Sequence, residues 1–93
     1  MITLGQAIRK LQKHIINTDV QIFHICDDLD DCWVFDWRYK NSPEEFTNGD
    51  LFKIDKKTGD IEIVYIGLPN EPFFEMLLSN KNKVDISKYL KQT

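Results

Sequence analysis

His24–Trp37 reads HICDDLDDCWVFDW, and the fold turns on how that stretch pairs with itself. Asp27, Asp28, Asp30 and Asp31 crowd between Cys26 and Cys32. Val20 to Cys26 on one side and Cys32 to Lys40 on the other are rich in β-branched and aromatic residues. Such runs favour extended chain, and clustered aspartates favour a turn. The stretch is therefore predicted to be a β-hairpin with DDLDD as its turn. A symmetric register sets Cys26 opposite Cys32, Ile25 opposite Trp33 and Phe23 opposite Phe35. Side chains alternate along a strand. Phe23, Ile25, Trp33, Phe35 and Trp37 then share one uniformly apolar face. Ile22, His24, Cys26, Cys32, Val34 and Asp36 share a mixed one, and a slip by one residue would scramble both sets.

Working outward, Thr3 and Gln6 have the spacing of a helix capping box, and Leu4, Ala7, Ile8, Leu11 and Ile15 recur at helical period. A helix is predicted over about Leu4 to Ile16. Asn41 to Asp50 is a polar connection. Leu51 to Asp55 and Ile61 to Ile66 are predicted strands around KKTG, where Gly59 supplies the positive φ of a type I turn with a G1 bulge. Asn70 is a candidate cap for a short helix through Phe73–Leu78, and Asp85 for a last one bearing Ile86, Tyr89 and Leu90. These elements predict a single α+β domain over residues 1–93. It has an N-terminal helix, a four-stranded antiparallel sheet, and one or two short C-terminal helices packed on one sheet face. The other face is left to solvent or a partner.

The 93 residues suffice for one modest core, and the net charge of −3 argues against nonspecific nucleic-acid binding, which needs a basic face. The charge is uneven. Asp27 to Asp50 holds eight acidic residues against Arg38 and Lys40, whereas Lys81 to the end holds four lysines against Asp85. An acidic zone draws a basic protein partner. No apolar run approaches the ~20 residues of a membrane span, and MITLGQAIRKLQK does not read as a secretory signal. These features predict a cytoplasmic address, in which Cys26 and Cys32 are more readily free thiols than a disulfide.

An aspartate-rich turn between two cysteines invites several chemistries. An EF-hand needs glycine at its sixth position, where a count from Asp28 reaches Trp33 and a count from Asp27 reaches Cys32. Zinc has candidate ligands in His24, Cys26 and Cys32, but the cysteine spacing is not that of a knuckle and no second pair exists. General acid–base work needs a carboxyl perturbed by burial, which an exposed turn does not supply. No phosphate loop, G-x-S-x-G or H-E-x-x-H is present. Hence no enzyme activity, cofactor or metal is expected. The candidate site is a partner-binding surface of Asp27, Asp28, Asp30, Asp31, Asp36, Trp37, Tyr39, Glu44 and Glu45. The plainer alternative is a solvated turn that discourages aggregation. Trp33 and Phe35 are expected in the core, with Trp37 balanced between core and interface anchor.

The N-terminal MIT with its amphipathic helix, the strand WVFDW, the polar connection ending in GD, and FKIDKKTGDI together resemble the YrhB-like immunity domains, the immunity protein 35 family. The DDLDD turn is a departure from that pattern. The resemblance implies a bacterial immunity protein that acts in contact-dependent competition. It would bind a cognate toxin stoichiometrically, as a monomer or weak dimer, and use no catalytic residue. A nuclease with a basic groove is one toxin an acidic surface would suit. The competing expectations are a small adaptor that oligomerises through its sheet and, further off, a metal-dependent enzyme using His24 and the cysteines.

Overall fold

The structure, a computed structural model, describes residues 1–40, 50–65, 67 and 70–90. Helix α1 spans Leu4–His14 and opens with the predicted capping box. The Gln6 amide donates to Thr3 Oγ1 at 3.1 Å, and the Thr3 amide to Gln6 Oε1 at 2.8 Å. Ala7, Ile8 and Leu11 form its buried stripe. Strands β1 (Val20–Asp28), β2 (Cys32–Tyr39), β3 (Asp50–Asp55) and β4 (Ile61–Tyr65) follow, then α2 (Glu71–Ser79), β5 (Lys83–Asp85) and α3 (Ser87–Leu90). The strands form one antiparallel sheet in the order β4-β3-β2-β1-β5.

The sheet has five strands where four were expected. The added strand, β5, lies in KVD, between the expected helix through Leu78 and the last helix expected after Asp85, where no strand was predicted. It pairs with β1, matching Cys26 to Val84 and Asp27 to Lys83. Immediately afterwards Asp85 Oδ1 accepts from the Ser87 amide at 2.9 Å, at the start of α3, while the cap position itself falls one residue later, at Ile86, whose carbonyl accepts from the Leu90 amide at 3.3 Å.

The helices occupy both sheet faces, not one. On the first face α1 and α3 cover Ile22, Cys26, Trp33, Phe35, Trp37, Phe52 and Ile54. On the second, Leu77 of α2 meets Cys32, Val34 and Leu51, with Phe73 and Phe74 packed alongside. β2 runs through the middle of this arrangement, and from Cys32 to Phe35 every residue is buried. Burying side chains of this kind contributes about 1.5–3 kcal/mol each. Both faces of β2 therefore hold the fold together.

The β1–β2 register also differs from the symmetric one. Cys26 pairs with Phe35 and Asp28 with Trp33, while Ile22 pairs with Trp37. The change of phase is set at the turn, which moves Cys26 from opposite Cys32 to opposite Phe35, an odd shift. The irregularity between Ile22 and Cys26 then shifts the register by two residues and leaves the faces as they are. The faces of β2 are as read, but those of β1 are inverted. Ile22 and Cys26 join Trp33, Phe35 and Trp37 in one cluster.

Two glycines have structural reasons. Gly59 takes φ +78° in the β3–β4 turn and donates its amide to Asp55 O at 2.8 Å, with Asp55 and Asp60 facing across Lys56–Gly59. At Gly5 an added Cβ would stand 3.3 Å from the Tyr89 ring, so the bare backbone lets α3 close on α1.

Candidate functional site

The hairpin turn is tighter than DDLDD. The Leu29 amide donates to Cys32 O at 3.0 Å, which leaves Asp30 and Asp31 alone at the tip. Alternation along β1 then sends Asp27 and Asp28 to opposite sheet faces. Asp27 neighbours Val34 on the α2 face, and Asp28 neighbours Trp33 on the α1 face. Each finds a lysine from a distant part of the chain. Lys83 Nζ lies 2.5 Å from Asp27 Oδ1, which also accepts from Asn80 Nδ2 at 3.1 Å. Lys56 Nζ lies 2.6 Å from Asp28 Oδ1.

Lys56 is the residue around which this end is organised. Its ammonium also donates to Leu29 O at 2.5 Å and sits 5.1 Å from the centroid of the Trp33 ring. Its amide donates to Asp31 O at 2.9 Å, and its carbonyl accepts from the Ile2 amide at 2.9 Å. One residue of the β3–β4 turn thus fastens the β1–β2 tip and the start of α1. Its side chain is 16% exposed. Two of the four turn carboxylates are thereby neutralised in ion pairs. Asp30 and Asp31 stay exposed beside an open cleft of about 620 Å³ that Leu29, Phe73 and Met76 also line.

The remaining candidates fall elsewhere. Asp36 is half-buried on β2. Burial pushes its carboxyl above the ordinary range, the bond it accepts from the Trp37 amide at 2.8 Å opposes this, and the charge of Asp27 adds to it. Trp37 is 7% exposed and donates Nε1 to Asp50 Oδ1 at 2.8 Å, so it belongs to the core. Tyr39 is 46% exposed and meets the Trp37 ring edge-on at 5.1 Å. From Asp31 to Tyr39 runs about 25 Å of strand, so the tip carboxylates and this aromatic pair lie at opposite ends of the hairpin. Glu44 and Glu45 fall outside the described residues.

The cysteines lie on opposite faces of the sheet, Cys26 under α1 and Cys32 under α2, and both are free. This geometry excludes a bridge between them and a shared metal ion. Burial, reinforced by Asp27 and Asp28, pushes the Cys26 thiol up to about 12. Burial, with a hydrogen bond to Asp31 and its charge, pushes Cys32 up to about 11. Burial, seconded by the acidic turn, therefore keeps both thiols protonated and poorly nucleophilic. His24 is exposed with its ring tilted against Phe23, and His14 is exposed and meets Phe52 in a T-shaped contact. Among the described residues, no three His, Cys, Asp or Glu side chains converge to hold a metal. No described helix is long and apolar enough to cross a membrane.

The sequence offered no signal for Lys56, Lys83 or Asn80, since their partners lie 27 to 56 residues away. The chain matches no family model, no curated protein and no solved structure.

Proposed function

We propose that this chain is an immunity-type antidote that binds a toxic protein stoichiometrically, with the hairpin tip as its acidic contact and no chemistry of its own. The observation that carries the reading is the division of labour among the turn carboxylates. Asp27 and Asp28 are tied into ion pairs, and Asp30 and Asp31 are presented outward beside a partly apolar cleft. Exposed charge of one sign steers a partner of the other sign and sets register, while neighbouring apolar surface supplies affinity. An arginine or lysine from the partner, with its aliphatic stem, suits that combination. The protonated thiols and the splayed carboxylates offer little to an enzymatic alternative.

The resemblance in the helix, in WVFDW and in FKIDKKTGDI points to the same reading and names the YrhB-like class of antidote. In a cytoplasmic setting the partner is the toxin encoded beside it, and a nuclease with a basic groove suits the tip's charge. The test is coexpression with the product of the adjacent gene. The proposal expects that product to arrest growth alone, and the chain to restore growth and copurify with it in one-to-one proportion. Arrest that persists despite soluble, folded chain refutes it.

A further inference from the structure

We propose that two copies of this chain associate through their β4 strands, antiparallel about a twofold axis at Ile63, joining their sheets into one. Among the described residues no strand pairs with β4 on the side away from β3. The hydrogen-bond phase of that edge follows from its neighbours. The Asp55 amide donates to Asp60 O at 3.1 Å, and the Lys56 amide to Asp31 O at 2.9 Å. Bonded pairs recur at every second residue of an antiparallel ladder. Glu62 and Val64 are thus bonded inward to Lys53 and Leu51, and Ile61, Ile63 and Tyr65 turn their backbone groups outward.

A twofold axis at Ile63 uses this phase fully. It sets Ile63 against Ile63 of the second copy and Ile61 against its Tyr65, giving about six backbone hydrogen bonds. The Tyr65 carbonyl already accepts from Asn70 Nδ2 at 2.8 Å and would share its second lone pair. The same axis pairs apolar with apolar on the α1 face, where Ile63 is 42% and Tyr65 63% exposed. On the other face Glu62 meets Val64, so no carboxylate opposes a carboxylate. An axis at Glu62 would set the two glutamates against each other, and one at Val64 would leave Ile61 unpaired. β4 carries a single charge, which Lys53 approaches at 3.9 Å. The acidic tip belongs to β1 and β2, away from this edge, and stays open to another partner. A second copy is therefore the occupant whose pattern this edge matches. An edge contact of this size is weak, with self-association in the upper micromolar range.

Sedimentation velocity between about 10 µM and about 1 mM tests the inference. The wild-type mass should rise from 11.0 kDa toward twice that value. Ile63→Pro removes an outward amide without touching the bonds to β3, and Ile63→Lys sets two ammonium groups face to face. Both variants should remain monomeric at the highest concentration, with at least about tenfold weaker association. Leu78→Lys, at a residue 71% exposed on α2, should self-associate like the wild type. Circular dichroism establishes that each variant is folded, and Ile63→Lys decides the matter where the proline does not fold. The inference is overturned by a wild type of constant 11.0 kDa mass, by folded Ile63→Lys that dimerises undiminished, or by Leu78→Lys that abolishes association as strongly.

Discussion

Replacing Lys56 by methionine should be among the most damaging changes at any polar position. The substitution keeps the aliphatic stem and removes only the ammonium, which is mostly withdrawn from water. Three contacts disappear together: the ion pair with Asp28, the bond to the Leu29 carbonyl, and the approach to the Trp33 ring. A hydrogen bond to a charged group contributes about 1.5–3 kcal/mol when sheltered. The Asp28 side chain is 39% exposed, so solvent screening places the pair nearer 1 kcal/mol. The carbonyl left without its donor costs about 1 kcal/mol, and the ring contact about 0.5–1. The total is about 2–3 kcal/mol, equivalent to a fall in Tm of roughly 10–20 °C for a domain of this size. Thermal melts of Lys56→Met, Asp28→Asn and the double variant at low and high salt would measure it. The double variant should lose less than the sum of the singles, because they share one ion pair. A Tm for Lys56→Met within about 2 °C of wild type would refute this account of the tip.

Further outcomes follow from Asp36 and the cysteines. The folded state raises the Asp36 carboxyl, so its proton is held more tightly folded than unfolded. Stability is therefore full below the unfolded value, and falls as pH rises through the unfolded and then the folded value. Asp36→Asn, whose Oδ1 still accepts from the Trp37 amide, should raise Tm at pH 7 and change nothing near pH ~3. A lower Tm at neutral pH would contradict the assignment to burial. The thiols, held up to about 12 and about 11, should resist iodoacetamide at mildly alkaline pH until the chain is unfolded. Rapid alkylation of either cysteine in the folded protein would show a more open packing.

Much of the architecture was legible because its causes are local. The capping box at Thr3, the alternation of Trp33, Phe35 and Trp37, the positive φ of Gly59 and the bond from the Ser87 amide to Asp85 are each set by residues within a turn or a strand. The misread features depend on longer reach. Treating DDLDD as a symmetric loop overlooked Leu29, which is bonded across to Cys32 and shortens the turn. That closure moves Cys26 from opposite Cys32 to opposite Phe35, an odd shift that inverts the faces of β1, and the irregularity between Ile22 and Cys26, which nothing in VQIFHIC marks, preserves the inversion. β5 is three residues long with two charges and becomes a strand only by docking on β1. The second helical layer did have a signal. Cys32, Val34 and Leu51 are apolar and in phase, and they require a cover that Phe73, Phe74 and Leu77 provide. The site was legible as charge but not as partnership. Lys56 and Lys83 silence two of the aspartates from outside the hairpin.

That partition gives the most direct measurement of the proposed function, the salt dependence of affinity for the proposed toxin partner in two double variants. Asp30→Asn with Asp31→Asn should leave Tm unchanged, slow association about tenfold at low salt and flatten its decline as salt is added. Asp27→Asn with Asp28→Asn should lower Tm, and should leave association of the folded fraction near wild type. Wild-type affinity and salt slope in the Asp30–Asp31 variant would contradict the claim that the exposed tip meets the partner.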